Sequence, residues 1–215
     1  MDFVIESVLT GSVQNFANGQ SSAIAKTAVG GPRAVAWLGI AGDAQADLSV
    51  HGGPDKAIHH YPFDHYDCWQ TDLGETALLA APGAFGENIS TTGITEETAC
   101  IGDRYRMGTA LVEIAQGRQP CWKQAHRLDS TNVVPRMVET QRCGWYYRVI
   151  EEGTVAAGDT LSLIERPFPE WTVKRVIKLL IAGDARRDPA AARALAALPL
   201  LADNWRARAA KLAGR

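Results

Sequence analysis

The chain has 215 residues, 46% of them apolar and 21% charged, with a formal net charge of −2, which is the balance of a soluble globular protein with material for a sizeable core. No apolar run approaches the ~20 residues of a membrane-spanning helix, and the acidic, alternating start over residues 1–6 lacks the basic-then-apolar shape of a secretory signal, so a cytoplasmic protein is expected. Cys68, Cys100, Cys121 and Cys143 form no CxxC pair, and His65 ahead of Cys68 has no second pair to complete a ligand set, which disfavours a structural zinc or iron–sulfur site and leaves free thiols as the expectation.

The first part of the chain reads as β-rich. Short apolar or alternating segments fall at 3–5, 23–25, 34–38, 111–114 and 160–164. Turn chemistry separates them at Gly30-Gly31-Pro32, Gly39, Gly42-Asp43, Gly52-Gly53-Pro54 and Gly158-Asp159. Many short strands with Gly/Pro turns favour a barrel or a sandwich. Two helices are expected within this part, one over 63–79 with Asp64 near its start and one over 131–139, begun or broken at Pro135. A break follows at Arg166-Pro167-Phe168-Pro169. Residues 1–166 hold 12 basic against 20 acidic side chains, net −8, and residues 167–215 hold 10 against 4, net +6. Two units are therefore expected, 1–166 and 167–215.

The second unit reads as three short helices. Thr172 caps a helix whose apolar positions Val173, Val176, Ile177 and Leu180 follow the i, i+3, i+4, i+7 pattern, and Gly183 stops it. Asp188-Pro189 opens a second over 190–198, and a third covers 202–212 with Trp205, Ala209 and Leu212 on one face. A unit of this size needs the first unit to pack against.

Four places carry candidate chemistry. Gln116-Gly117-Arg118-Gln119-Pro120-Cys121-Trp122-Lys123 follows directly on a strand, and a cysteine at a strand exit is placed to face a pocket. Pro120 stiffens the approach. Arg118 and Lys123 nearby favour the thiolate, the form that binds metals or attacks electrophiles, although a buried structural cysteine fits the same local sequence. His51-Gly52-Gly53-Pro54-Asp55-Lys56 is a tight loop whose backbone N–H groups and lysine suit an anion, or else a plain turn. It lacks the Lys-Ser/Thr ending of a nucleotide-binding P-loop. His59, His60 and His65 lie close together, but on an extended segment His59 and His60 face opposite ways and cannot easily share one metal. In Phe85-Gly86-Glu87-Asn88-Ile89, Glu87 and Asn88 offer an acceptor and an amide to a heterocycle.

The order of these motifs is more specific than any one of them. Gly39-Ile40-Ala41-Gly42-Asp43, the 51–57 loop, His60-Tyr61-Pro62, Gly83 to Ile89, Ile101-Gly102-Asp103, Gln119-Pro120-Cys121-Trp122-Lys123, Gly144 to Val149 and Gly158-Asp159 together resemble the MOSC family, named for the C-terminal domain of molybdenum-cofactor sulfurases. The likeness is greatest to its stand-alone bacterial YiiM-type members and extends over nearly the whole chain, the helical tail included. It implies a mainly β, MOSC-type β-barrel with peripheral helices and a small C-terminal three-helix unit. It also implies the pterin-dithiolene molybdenum cofactor (molybdopterin), with Cys121 as metal ligand. The implied activity is reduction of N-hydroxylated compounds, such as hydroxylaminopurine base analogues, to amines.

The residues fit that chemistry. A thiolate is a soft ligand suited to a metal already held by dithiolene sulfur. The cofactor's anionic groups would be met by His51, Gly52, Gly53, Lys56, Asn88, Arg118 and Lys123. The resemblance selects His60 as the catalytic proton donor alongside Cys121. The chain carries no redox relay of its own, so a separate electron-donor protein is expected, with the basic tail as its docking face. Neither a membrane nor a nucleic acid is expected as a partner, and a homodimer is left open. Persulfide transfer by Cys121, or a non-catalytic cofactor carrier, are the competing readings.

Overall fold

The protein is described by a computed structural model over residues 1–46 and 52–214. Seven strands form its frame: β1 (Asp2–Thr10), β2 (Ile58–His60), β3 (Ile89–Thr91), β4 (Arg104–Met107), β5 (Ala110–Gly117), β6 (Trp145–Glu151) and β7 (Thr160–Glu165). They pair in the order β7-β4-β5-β6-β2-β3-β1, and β1 closes back onto β7 to complete a barrel. Closure leaves the ring without free edges. Every neighbouring pair is antiparallel except β2 and β3, which run parallel with His60 opposite Ile89.

The pleat sorts the side chains. Tyr105 and Met107 on β4 and Trp145, Tyr147 and Val149 on β6 point into the barrel and are buried, while their neighbours are half-buried. On β5 nearly every residue is buried, on both faces. The cause is the tail, whose helices α4 (Val173–Leu180), α5 (Pro189–Ala196) and α6 (Asp203–Ala213) follow the barrel, with α4 and α6 covering the outer face of that strand. A Cβ on Gly117 would lie 2.9 Å from the Ile177 side chain and 3.1 Å from that of Trp205, and Ala202 N–H donates to the Ala115 carbonyl at 2.9 Å. One apolar core runs through both parts, from Ile5 and Tyr105 to Ile177 and Trp205.

Three helices interrupt the barrel: α1 (Tyr66–Leu73), α2 (Trp122–Arg127) and α3 (Val133–Thr140). The helix expected over 63–79 is divided. A 3-10 turn at Phe63–His65 leads into α1, Gly74 at φ 85° ends it, and a second 3-10 turn follows at Ala77–Leu79. The strand expected at 23–25 is absent, its residues lying between the two-residue strands Ser21–Ser22 and Thr27–Ala28. Of 34–38, only Arg33–Ala36 is a strand, paired with Gly39–Ile40 and Gly153–Val155 in a small sheet beside the barrel. The tail helices start as their caps dictate: the Thr172 hydroxyl accepts from Arg175 N–H at 3.2 Å, and the Asp188 carboxylate accepts from Ala191 N–H at 2.8 Å.

Candidate active site

Beyond Gly117 the chain leaves β5, and Arg118 N–H donates to the Gly144 carbonyl at 3.0 Å. Cys121 then stands as the N-cap of α2 in an extended conformation. Its N–H donates to the Gln124 side chain at 3.2 Å and its carbonyl accepts from Gln124 N–H at 3.2 Å, which together fix the start of the helix. Cys121 is half-buried on the wall of an open cleft enclosing about 580 Å³, part of it solvent.

Four cations line the same cleft among the described residues, Lys56 together with Arg118, Lys123 and Lys26. Arg118 is buried; its Nη2 lies 4.0 Å from Cys121 Sγ, its Nη1 donates to the Gln119 carbonyl at 3.5 Å, and its Nε has no partner among the described residues. Lys123, also buried, donates from Nζ to the Ser21 carbonyl at 3.0 Å and ties α2 to the hairpin of Gln14–Asn15 and Ser21–Ser22. Lys26 pairs with Asp43, and burial pushes its ammonium below the ordinary lysine range against the pull of that carboxylate.

The opposite wall comes from β2 and the loop before β3. His59 N–H donates to Asn88 Oδ1 at 3.0 Å, and the Asn88 amide donates to the Leu9 carbonyl at 3.1 Å and to Asp43 Oδ2 at 2.8 Å. The loop is built around Glu87. Its fully buried carboxylate accepts from Gly83 N–H at 2.6 Å, from Phe85 N–H at 3.1 Å and from the Tyr66 hydroxyl. Burial raises its pKa while these donors oppose the rise. Gly86, at φ 76°, has no room for a side chain, because a Cβ would stand 2.7 Å from Ile24 Cγ1 on the cleft wall.

Strand β2 separates two adjacent histidines. His59 lines the cleft beside Tyr146, their ring centroids 5.0 Å apart, and its buried Nε2 has no partner among the described residues. Burial, helped by the charges of Arg118 and Lys26, holds it well below the usual imidazole range, so the ring is neutral near pH 7. His60 points the other way. It is fully buried in the barrel, with Nδ1 2.9 Å from the Tyr147 hydroxyl and Nε2 2.9 Å from Thr91 Oγ1, and burial takes its pKa down to about 3. Selecting His60 as proton donor is therefore corrected. The period-2 pleat turns it away from the cleft, and both ring nitrogens are already engaged.

Of the residues expected at a cofactor, Lys56, Asn88, Arg118, Cys121 and Lys123 come together on this cleft. Gly52 and Gly53 do not line it; Gly53, at φ 94°, instead opens the 3-10 turn Pro54–Lys56. His51 lies outside the described residues. Lys26, Asp43 and Tyr146 line the cleft without having been singled out. Asp43 and Tyr146 were present only as members of longer motifs. For Lys26 the available signal was a single cation in the small and apolar stretch from Ser22 to Val29.

The sequence profile of the MOSC domain matches residues 47–162. Protein YiiM of Escherichia coli (strain K12) is 43% identical over 159 residues, which cover 74% of this chain and 71% of that protein. A protein of Gibberella moniliformis named "Reductase" is 39% identical over 161 residues, or 74% of this chain and 28% of that much longer protein. The crystal structure of YiiM from Geobacillus stearothermophilus superposes with a TM-score of 0.83 at 32% identity, covering 98% of this chain and 99% of that one. The barrel, the cleft at its strand exit and these likenesses agree, and the chain belongs to the MOSC domain family, alongside the YiiM proteins.

Proposed function

We propose that the cleft holds a pterin-dithiolene molybdenum cofactor and that the protein reduces N-hydroxylated compounds, such as hydroxylaminopurines, to amines. MOSC domains are associated with molybdenum-cofactor binding in general. The observation that carries the reading is the half-buried sulfur of Cys121 on a cleft where Arg118 Nε and His59 Nε2 are both buried without a partner among the described residues. Buried polar atoms are nearly always paired, so two such atoms on one cleft point to a polar ligand. A thiol, a buried guanidinium and two lysines also form a donor set suited to a sulfur-coordinated metal on an anionic pterin.

When bound, the cofactor supplies the two-electron chemistry that splits an N–O bond. The reaction consumes two electrons and two protons, R–NHOH giving R–NH2 and water. The chain's own residues bind and orient. Cys121 offers its sulfur to the metal, and Arg118 and Lys123 hold the anionic groups near it. Asn88, fixed by Leu9 and Asp43, sets the position of the His59 backbone. His59, neutral near pH 7, exchanges hydrogen bonds with bound ligand at the wall, a role that replaces the one expected for His60. Electrons come from a separate donor protein, and this reading assigns its contact to the basic tail near the exposed Arg186 and Arg187.

The direct test is turnover of a hydroxylaminopurine by protein prepared in cofactor-producing cells, with a chemical reductant as electron source. Formation of the aminopurine, lost in Cys121→Ser, is the expected result. Cofactor bound but never turned over would make the protein a carrier, and the catalytic reading would be withdrawn.

A further inference from the structure

Behind the cleft, one carboxylate holds the turn that positions Arg118. Glu96 is buried. Its Oε1 accepts from Cys143 N–H at 2.9 Å and from Gly144 N–H at 2.6 Å, and its Oε2 stands 2.6 Å from His65 Nε2. The turn it grips is constrained. Gly144 sits at φ 72°, and a Cβ there would stand 2.3 Å from the His60 carbonyl and 3.1 Å from His59 Nε2. The Gly144 carbonyl in turn accepts from Arg118 N–H at 3.0 Å, and Arg118 carries the guanidinium that lies beside Cys121 Sγ. A chain of short contacts therefore runs from His65 through Glu96 and Gly144 to Arg118.

We propose that Glu96 is a positioning residue for the reaction centre: it fixes the Cys143–Gly144 turn so that Arg118 stands against Cys121. The geometry suits the task. Two successive N–H groups on one oxygen fix the orientation of a peptide plane as well as its distance, and both bonds are short, at 2.9 and 2.6 Å. The second oxygen is held by His65, which comes from the 3-10 turn before α1, so the carboxylate is anchored from outside the strands it organises. The main chain of Glu96 is held as well, its carbonyl accepting from Lys174 N–H at 2.8 Å at the start of α4. Glu96 itself does not line the cleft, so its influence passes through the turn.

This inference rests on the proposed cofactor cleft, and its test has one arm that needs no cofactor. Amide hydrogen exchange is measured in wild type, Glu96→Ala and Glu96→Gln. Loss of hydrogen bonds to a charged partner is worth roughly a ten- to hundredfold change in a local opening equilibrium. Glu96→Ala should accelerate exchange at Arg118, Cys143 and Gly144 by about that factor and leave the amides of β4 and β7 unchanged. Glu96→Gln keeps an acceptor for the turn and should stay within about threefold of wild type at the same sites. If Glu96→Ala does not fold, His65→Gln, which removes the outer anchor, is read in its place with a smaller acceleration at the same three amides. Wild-type exchange at Arg118 in Glu96→Ala, or in His65→Gln where it is read in its place, overturns the proposal.

The second arm measures pterin and molybdenum retained after dialysis in Glu96→Ala, Arg118→Ala and the double variant. A positioning residue acting through Arg118 makes the double variant no worse than Arg118→Ala alone. Losses that multiply would place the action of Glu96 elsewhere and also overturn the proposal. A wild-type protein that binds no pterin would instead remove the cofactor reading, while the exchange arm still decides whether Glu96 holds Arg118.

Discussion

The two sides of strand β2 differ in what they leave unfinished. On the barrel side, His60 meets the Tyr147 hydroxyl and Thr91 Oγ1, and its ring lies 4.3 Å from that of Trp145. On the cleft side, one residue away, His59 Nε2 is buried with no partner among the described residues, as is Arg118 Nε on the same cleft. Both histidines are held neutral by burial, so charge does not distinguish them. Satisfaction does: both ring nitrogens of His60 are engaged, whereas His59 keeps one free for a ligand in the cleft.

Breaking the cleft side should reduce function and spare stability. Arg118→Ala is expected to lower pterin retention about ten- to hundredfold, the value of a hydrogen bond to a charged ligand, with a denaturant midpoint close to wild type. Pterin content after dialysis, set beside a urea melt, checks both halves. Breaking the barrel side should do the reverse. His60→Ala leaves the Tyr147 and Thr91 hydroxyls unpaired around a new cavity, at a cost of about 2–4 kcal/mol. The folded fraction should keep its cofactor, and a large loss of cofactor at unchanged stability would erase the distinction between the two faces.

The pH dependence sharpens the same contrast. Folded His60 takes up a proton only near pH 3, against 6.5 for an ordinary imidazole. Between those values the unfolded chain binds more protons than the folded one. The stability tied to neutral His60 is therefore complete above about pH 6.5 and is lost as pH falls toward 3, with a slope of up to about 1.4 kcal/mol per pH unit. Urea midpoints measured from pH 7 down to pH 4 should fall less steeply in His60→Gln than in wild type. Equal slopes would mean that His60 is not held neutral by burial.

The smallest effect is expected at the tail. Arg206 is paired with Asp203, and Arg208 donates to the Leu180 carbonyl at 2.9 Å and to the Gln119 side chain at 3.4 Å, so these two arginines serve the packing of α6. Arg186 and Arg187 are both exposed, Arg187 in a loose surface pair with Asp184 at 3.6 Å. Replacing both with Gln should slow reduction by a protein donor severalfold at low salt and leave the rate with a chemical reductant unchanged. A loss with both reductants would assign the tail to structure alone.

Much of this was legible in the sequence. Period-2 segments between Gly-rich turns pointed to a barrel or a sandwich, the resemblance to MOSC domains implied the barrel, and the caps Thr172 and Asp188 marked the tail helices within a residue or two. The cysteine at a strand exit flanked by Arg118 and Lys123 marked one wall of the cleft. Alternation also announced that His59 and His60 face opposite ways, but not which face is the cleft, because that depends on the parallel partner β3 and on Tyr147 of the neighbouring strand β6, 87 residues along the chain. Lys26, Asp43 and Glu96 were hidden for the same reason. Each owes its position to partners far away in sequence, as Glu96 does to the Cys143–Gly144 turn. The helix expected over 63–79 failed locally, since apolar content alone does not reveal that Gly74 takes a conformation that ends it.

The central claim is that Cys121 is the protein's sulfur ligand to a molybdenum cofactor in this cleft. Molybdenum and pterin are measured together in wild type and in Cys121→Ala, both purified from cofactor-producing cells and compared at equal folded protein. Wild type should carry the two in equal amounts, and Cys121→Ala should lose the molybdenum-dependent activity together with most of the metal. Full metal, full pterin and full activity in Cys121→Ala would contradict the account.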